Sequence, residues 1–484
     1  MMNDRRIASA SLLRHLGGWR DAEVSTPTYR RLADGVRMLV LDGRLPLGAA
    51  LPGERELAAA AGVSRTTAAA AYALLCEQGY LRSRPGAASR TAIPERPGAR
   101  LAGRSAGPGT AVAVDLGIAS MPAPDAVHRA YLAAIEGLPH YLPTPGYEPV
   151  GLPVLRAVIA DRFAKRGLPT APEQILVTHG AQHGLALVLR AFAQAGDTVV
   201  IDHPTYPHAI DAIRGAHCRP IPVALPPQGW DVAALGAAFR QTAPRLAYLL
   251  PDFHNPTGRC MNEAERLAVA EAAAASGTRL IADETMVDLW HDAPPPPPLA
   301  AFDGTGAAVT LGSTGTSFWG GLRIGWIRAD APTITALALT RASIDLGTPV
   351  LEQLAATTLL ADDRTVLDAR RAQLRSQCEA LVGLIRQSFP TWHVAPPVGG
   401  VALWAEMPMP IASALAAAGE AAGVRIAPGP RFGIDGAFER CVRLACTAPP
   451  ATLEDGVTRL AQAAASLGSG RPRPRRPIGP SRIV

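Results

Sequence analysis

Apolar positions recur at helical spacing in the first hundred residues. One apolar face runs through TYRRLADGVRMLVLDGRL, at Leu32, Val36, Leu39 and Val40. Gly43 predicts the end of this helix. The next segment, LPGERELAAAAGVSRTTAAAAYALLCEQGYL, predicts two short helices with a turn at residues 61–63, and Ser64 is a suitable N-cap for the second helix. The pattern therefore predicts a helix-turn-helix.

The second helix and the residues after it carry features that suit DNA. Its first turn, Ser64 to Thr67, presents short hydrogen-bond donors and Arg65, as a recognition helix does in the major groove. The segment YLRSRPGAASRTAIP predicts two short strands, with a turn at Pro85-Gly86 and arginines around the tip. Such a wing would reach phosphates or the minor groove. The alternative interpretation is a surface helical hairpin without a partner.

This order of helix, turn, helix and wing over residues 26–93 resembles the GntR family of bacterial regulators. The resemblance implies a winged helix-turn-helix domain over residues 1–93, with its core at 26–93 and double-stranded operator DNA as its partner. It places seven residues at DNA-contacting positions, namely Arg55, Ser64, Arg65, Thr66, Thr67, Arg84 and Gly86.

The pattern of apolar residues changes after a predicted linker. Residues 94–113 are rich in Pro, Gly, Ala and Arg and predict an interdomain linker. From Val114 onward, helical stretches alternate with the apolar runs ILVT, TVVID, RLAYLL, RLIAD and AAVTLGS. This alternation predicts an α/β domain with a mostly parallel sheet, helices on both faces, and ligands at the carboxyl ends of the strands.

Residues with suitable chemistry follow these runs. Gly180 opens a helix whose free N–H groups could bind a phosphate. Tyr206 could stack on a flat heterocycle, and Asp283 could pair with a protonated ring nitrogen. Taken singly, Tyr206 suits a core and Asp283 suits a helix cap. The ordered set suits pyridoxal 5'-phosphate (PLP), and it comprises Gly180, Ala181, Gln182, Tyr206, Asn255, Asp283, Ser313 and Arg323.

Residues 114–468 resemble a fold-type I aminotransferase, and the fused pair of domains resembles the MocR/GabR subfamily of GntR regulators. The resemblance implies a smaller C-terminal α+β subdomain over about 370–468 and a homodimer that senses PLP or an amino-carboxylate effector. It also implies that Arg443, in CVRLACTAPP, holds the effector carboxylate. Taken alone, Arg443 would be interpreted as a surface charge.

The sequence departs from this family at the residue that carries the cofactor. Relatives read Ser, any residue, Ser and Lys, and the lysine forms a Schiff base with PLP. Here the four positions read Ser313-Thr314-Gly315-Thr316, and the only lysine of the chain is Lys165. We therefore assign no catalytic residue and expect any bound PLP to be non-covalent. Two further positions differ from the family. Gly315 replaces the second serine of this pattern and so lacks its hydroxyl, and Thr285 stands where many relatives have a tyrosine.

Charge and composition indicate the kind of partner and the cellular compartment. Residues 1–100 hold 15 basic and 9 acidic side chains, whereas 101–470 hold 27 and 32. This asymmetry suits a polyanionic partner for the N-terminal domain. Residues 469–484 predict a disordered basic tail. The absence of an apolar run of 18 residues or a signal peptide predicts a cytoplasmic protein without a membrane partner.

No metal site is predicted. The cysteines lack metal-binding or redox spacing, at Cys76, Cys218, Cys260, Cys378, Cys441 and Cys446. His179, His183 and His203 lack a supporting set of carboxylates or cysteines in the sequence.

Three functions are consistent with these patterns. The first is a DNA-binding regulator with a ligand-sensing domain. The second is a PLP-dependent aminotransferase with residual activity, fused to a DNA-binding domain. The third is a regulator whose large domain has lost PLP and serves only for dimerisation.

Overall fold

A computed structural model describes residues 7–16, 27–41, 45–46, 48–83, 88–92 and 113–468. The chain divides into two compact units, one within residues 1–104 and the other within 105–484. The predicted linker, apart from Ala113, and the predicted tail lie outside the described residues. Among the helices of the described residues, none combines the length and apolarity needed to cross a membrane.

The N-terminal unit is a helical core with a two-stranded hairpin. Its elements are α1 (Ser9–Leu16), α2 (Thr28–Leu41), α3 (Glu54–Ala61), α4 (Arg65–Glu77), β1 (Leu81–Arg82) and β2 (Arg90–Thr91). The predicted apolar face of α2 is buried, and it packs with Leu57 of α3 and Leu75 of α4. The sequence analysis did not predict α1, which adds the fully buried Leu12 to this core.

The turn between α3 and α4 is fixed by its end residues. Gly62 adopts a left-handed conformation with φ 60°, and it ends α3. Ser64 Oγ accepts a hydrogen bond from the Thr67 backbone N–H at 3.0 Å, which confirms Ser64 as the N-cap of α4. β1 and β2 pair antiparallel, as the predicted wing requires.

A seven-stranded sheet forms the centre of the large unit. Its strands are β4 (Ile175–Thr178), β5 (Thr198–His203), β6 (Arg219–Ala224), β7 (Leu246–Leu249), β8 (Arg279–Asp283), β9 (Val309–Ser313) and β10 (Gly325–Arg328). The spatial order is β4-β10-β9-β8-β7-β5-β6, and only β10 runs antiparallel to its neighbours. All five predicted apolar runs are strands, and the predicted mostly parallel sheet is confirmed. β6 and β10 were not predicted.

Helices cover both faces of this sheet. One face carries α5 (Asp125–Gly137), α6 (Pro153–Lys165), α9 (Val232–Thr242), α10 (Glu263–Ser276) and α12 (Val350–Ala361). The other carries α7 (Ala181–Phe192), α8 (Pro207–Gly215) and α11 (Ala331–Arg341). In β4, Val177 faces the first core and Leu176 faces the second, so the strand is buried on both sides.

The C-terminal part forms a smaller α+β layer. Its elements are α13 (Arg364–Ser388), β11 (His393–Val394), β12 (Ala402–Glu406), α14 (Ala412–Ala421), β13 (Val424–Arg425), β14 (Ala427–Pro428), β15 (Cys441–Ala445) and α15 (Pro450–Gly468). The antiparallel sheet has the order β11-β12-β15-β14. A further strand, β3 (Val114–Asp115), pairs with β13, so the start of the large unit joins the small layer rather than the large sheet.

Candidate functional site

A cleft that opens to solvent lies at the carboxyl ends of the parallel strands. Its lining includes all eight residues predicted to bind the cofactor, namely Gly180, Ala181, Gln182, Tyr206, Asn255, Asp283, Ser313 and Arg323. They follow five different strands, β4, β5, β7, β8 and β9, or the segment between β9 and β10. The parallel topology therefore brings together residues that are up to 143 positions apart in the sequence.

One end of the cleft suits an anion. Gly180 is the N-cap of α7 with φ 84°, and the amide dipoles of α7 place positive potential there. A Cβ on Gly180 would lie 3.1 Å from Arg323 Nη2, and a Cβ on Gly325 would lie 2.5 Å from the Gly180 carbonyl carbon. Glycine at both positions thus permits the close approach of β10 to this helix end. Arg323 Nη2 donates to the His179 carbonyl at 2.9 Å, which holds its guanidinium beside this end of α7.

The middle of the cleft presents a buried carboxylate. Asp283 Oδ2 accepts a hydrogen bond from the Tyr248 hydroxyl at 2.6 Å, and Oδ1 accepts one from the Thr285 N–H at 3.1 Å. Burial raises the pKa of Asp283, while these hydrogen bonds act in the opposite direction. Burial also raises the pKa of Tyr206 to about 12, so its phenol is neutral at physiological pH.

Behind the cleft lies a buried arginine. Arg443, on β15, is fully buried rather than on the surface. Its Nη1 donates to Asn255 Oδ1 at 3.3 Å and its Nη2 donates to the Gly117 carbonyl. Its Nε has no hydrogen-bond partner among the described residues. Burial lowers the pKa of Arg443 to about 10, so the guanidinium still carries its charge at neutral pH.

The turn after β9 brings Thr316 to the cleft. Thr314 Oγ1 donates to the Ile324 carbonyl at 2.9 Å, and the Gly315 N–H donates to Ser313 Oγ at 3.0 Å. These bonds fix the turn so that Gly315 and Thr316 both line the cleft. Lys165 lies at the end of α6 and is not part of the lining. Its side chain is 72% exposed, with Nζ 2.6 Å from Asp161 Oδ2.

Two family models match the chain. The model described as aminotransferase class I and II matches residues 123–460. The chain belongs to this family. The model described as bacterial regulatory proteins, gntR family, matches residues 28–90. The chain therefore joins a GntR helix-turn-helix region, which implies DNA binding, to a fold-type I aminotransferase domain.

Relatives named as regulators match much of the chain. The HTH-type transcriptional regulator YisV of Bacillus subtilis is 27% identical over 423 residues, which cover 80% of this chain and 86% of YisV. The probable rhizopine catabolism regulatory protein MocR of Rhizobium meliloti is 27% identical, over 64% of this chain and 66% of MocR. The chain is thus a MocR-type regulator by its domain organisation.

A solved structure shares the fold of the large unit. It is LysN, the alpha-aminoadipate aminotransferase of Thermus thermophilus, complexed with N-(5'-phosphopyridoxyl)-L-leucine. The similarity has a TM-score of 0.68 and 27% identity, and it covers 74% of this chain and 93% of LysN. Fold-type I aminotransferases bind PLP, and the sequence-based assignment of the fold is confirmed.

The predicted DNA-contacting residues are mostly exposed. Arg55, Ser64, Arg65 and Thr66 are exposed, and Thr67 is half-buried. Ser64 Oγ already accepts the Thr67 N–H, so its hydroxyl also serves the cap of α4. Arg65, Thr66 and Thr67 belong to the first turn of α4, Ser64 is its N-cap, and Arg55 lies on α3. Two further residues, Arg84 and Gly86 of the predicted wing tip, lie outside the described residues.

Contrary to the expectation from the sequence, His179 and His183 do have a neighbouring carboxylate, that of Asp345. Its Oδ2 lies 2.8 Å from His179 Nε2 and 3.7 Å from His183 Nε2. His183 Nδ1 accepts the His179 N–H at 3.1 Å, a bond that places the proton of the neutral ring on Nε2, the nitrogen closer to Asp345. Arg341 Nε also pairs with Asp345 Oδ1 at 2.7 Å. His203 lies apart from this cluster, and its Nε2 accepts the Ile434 N–H.

Sequence reasoning also missed contributors to the cleft. Tyr248 lies inside the predicted strand RLAYLL, and Ser120 and Met286 line the cleft. A signal for Tyr248 existed, because a tyrosine in a fully buried strand needs a hydrogen-bond partner for its hydroxyl. The identity of that partner depends on the register between β7 and β8, which the sequence does not reveal.

Proposed function

We propose that this chain is a DNA-binding transcriptional regulator whose large unit senses PLP or an amino-acid-type ligand without covalent attachment. The observation that carries this proposal is the position of Thr316 in the cleft, beside eight residues that suit PLP. The residues that suit PLP lie together there, and the position that we assign to the family's Schiff-base lysine holds a hydroxyl instead of an amine.

The residues of the cleft fit PLP in chemistry and placement. The N-terminus of α7, Ser313 and Arg323 would hold the phosphate. Tyr206 would stack on the ring, Asn255 would contact the ring hydroxyl, and Asp283 would pair with the ring nitrogen. When bound, PLP supplies an electron-withdrawing ring. The LysN complex supports this ligand class, because a pyridoxyl group joined to an amino acid is bound by a protein of the same fold.

Efficient transamination is disfavoured by the same residue. Threonine has no amine to react with the carbonyl of the cofactor, and its hydroxyl is a poor base at neutral pH. A positioned general base contributes roughly 10² to 10⁴-fold to proton transfer. Lys165 cannot replace it, since it is largely exposed on α6 and pairs with Asp161. We therefore propose a sensor rather than an enzyme.

Arg443 gives the sensor a site for a carboxylate. A fully buried guanidinium is costly unless it is neutralised, and its described hydrogen-bond partners are the neutral oxygens of Asn255 and Gly117. It also lies over the Phe432 ring and interacts electrostatically with Asp115, but no described carboxylate pairs with it directly. The Nε atom has no described partner. The carboxylate of an amino-acid-type ligand would neutralise this charge. The contact with Asn255 would connect the carboxylate to the residue proposed to touch the ring.

The DNA-binding part would act as one half of a homodimer. In this proposal each α4 reads one half-site of operator DNA, and ligand binding changes the relative placement of the two DNA-reading heads. Such a regulator would work in the cytoplasm.

A titration with PLP tests the ligand. We expect saturable binding in calorimetry, and no adduct on a residue of the cleft after borohydride reduction and peptide mass spectrometry. An adduct inside the cleft would contradict non-covalent binding, and turnover of amino acids in that preparation would favour the aminotransferase. The absence of heat would favour the dimerisation module that has lost PLP.

A mobility shift tests the DNA-binding part, with duplex DNA from upstream of the protein's own gene. We expect Arg65→Ala to weaken binding between roughly 5-fold and 100-fold, the loss of one specific arginine contact. The matched control is Arg364→Ala, which removes an arginine that is 91% exposed on the large unit. Equal affinities for the wild type and Arg65→Ala would exclude α4 as the recognition helix.

A further inference from the structure

Tyr248 is a buried residue whose hydroxyl contacts the proposed ligand site from behind. It lies in β7 with its side chain fully buried, in the core beneath α7. Its strand partner is Ile281 of β8, and Asp283 follows two residues later on the same face of the sheet. This diagonal arrangement lets the phenol reach Asp283 Oδ2 at 2.6 Å.

We propose that Tyr248 is a positioning residue, which orients the Asp283 carboxylate and stabilises its negative charge for the ring nitrogen of the ligand. The inference rests on the proposed function, because it assigns the ring nitrogen to Asp283.

Electrostatics explains why Asp283 needs such a partner. Burial favours the neutral acid and raises the pKa of Asp283, and the nearby Asp252 acts in the same direction. The hydrogen bonds from Tyr248 and from Thr285 favour the ionised form. Tyr206 and Asp202 are the other titratable groups that interact with Tyr248, and Tyr206 also interacts with Asp283. Burial raises the pKa of Tyr248 well above its usual value, so the phenol acts as a donor.

The geometry leaves room for a ligand. The two carboxylate oxygens offer about four lone-pair directions, and the hydrogen bonds from Tyr248, from the Thr285 N–H and from the Thr285 side chain use three of them. A protonated ring nitrogen can therefore donate to Asp283 without displacing Tyr248. By contrast, a purely structural tyrosine would use Asp283 only to satisfy its own buried hydroxyl. Its removal would then change the proton affinity of Asp283 but leave the recognition of the ring nitrogen unchanged.

The variant Tyr248→Phe separates these roles, since it keeps the ring in the core. The first measurement is an NMR titration of the free protein labelled with ¹³C at aspartate carboxyls, with Asp283→Asn assigning the signal. We expect the proton affinity of Asp283 to rise roughly tenfold, the scale of one hydrogen bond to a charged group. The matched control is Tyr131→Phe on α5, which removes a phenol outside the cleft lining.

The second measurement compares PLP with its analogue that has C–H in place of the ring nitrogen. We expect Tyr248→Phe to weaken PLP binding roughly tenfold and to change binding of the analogue much less. In an Asp283→Asn background, the same substitution should have no effect on PLP binding.

Failure of the proposed role of Tyr248 and failure of the proposed ligand give different results. An unchanged titration of Asp283 in Tyr248→Phe, or an equal loss of both ligands, would overturn the role of Tyr248. If the wild type binds neither ligand, the proposed ligand is wrong, and the titration of the free protein still decides whether Tyr248 controls Asp283. Thermal unfolding of each variant shows whether its fold is intact.

Discussion

The two sides of the cleft are built differently. On the ring side, Asp283 and Tyr248 are buried and linked across neighbouring strands, so their geometry depends on the register of the sheet. On the turn side, Ser313, Gly315 and Thr316 are partly exposed and belong to one short turn after β9. In the proposed function, Thr316 in that turn excludes covalent attachment, whereas the ring side still presents the groups that would recognise the ring. We therefore expect recognition of a ligand and its covalent attachment to be separable in this protein.

The largest expected effect restores the anchor. In Thr316→Lys, an amine would enter the cleft beside the recognition groups, and it can bond to the carbonyl of PLP. We expect stoichiometric PLP attachment at residue 316 after borohydride reduction, detected by peptide mass spectrometry, where the wild type has none.

Thr316→Met is the matched control, because it adds a long side chain without an amine. Peptide mapping separates an adduct at position 316 from one at Lys165. If PLP binds to Thr316→Lys and leaves residue 316 unmodified, the turn does not direct this position towards the carbonyl, and the proposed correspondence with the lysine is wrong.

The free energy of unfolding is expected to depend on pH through Asp202, a buried aspartate in β5. Asp202 accepts hydrogen bonds from the Leu250 N–H and from Trp230 Nε1, both at 2.9 Å, and burial raises its pKa to about 7. An unfolded aspartate ionises near pH 4. Between these values the folded state holds a proton that the unfolded state has released. This group therefore lowers the free energy of unfolding as pH rises from about 4 to about 7, by at most about 4 kcal/mol.

Asp202→Asn removes this titration, so its unfolding free energy should fall less steeply than that of the wild type over the same pH range. Urea unfolding at several pH values measures the slope of the unfolding free energy against pH. The comparison uses this slope and not the absolute stability of each variant. The control Asp368→Asn changes an exposed carboxylate. Parallel slopes for Asp202→Asn and the wild type would show that Asp202 is ionised in the folded protein at lower pH than its burial indicates.

A smaller effect on ligand binding distinguishes the proposed carboxylate site at Arg443 from the residues that would bind PLP itself. Arg443→Met should weaken binding of N-(5'-phosphopyridoxyl)-L-leucine about 100-fold, or about 3 kcal/mol, because it removes a charge-assisted contact to the carboxylate. Binding of PLP alone should change less than about threefold, because PLP has no such carboxylate. Arg323→Met is the contrasting variant, since loss of the phosphate contact should weaken both ligands. Calorimetry that finds equal losses in Arg443→Met would exclude Arg443 as the carboxylate site.

The sequence predicted what depends on local pattern. The runs ILVT and RLIAD are buried strands because β-branched and other apolar residues suit a sheet covered on both faces, and Asp283 follows from its place at a strand end. Contacts that depend on register or on distant residues were not predictable. The partner of Tyr248 is one example, and Asp345, 166 residues after His179, is another. β10 was missed because Gly325–Arg328 is short and follows glycines.

The smallest effect concerns the turn side again. Gly315→Ser would return a hydroxyl to the anion site, and a new Cβ there would lie 3.2 Å from Ser313 Oγ, a contact that requires only a small shift. We expect PLP binding to strengthen about threefold, because one added hydrogen bond contributes about 0.5–1.5 kcal/mol. Gly304→Ser is the matched control, since a Cβ at Gly304 meets no atom within 4 Å. Weaker binding by Gly315→Ser would mean that the hydrogen bond from the Gly315 N–H to Ser313 Oγ cannot tolerate a side chain, and that the turn is as constrained as the buried ring side.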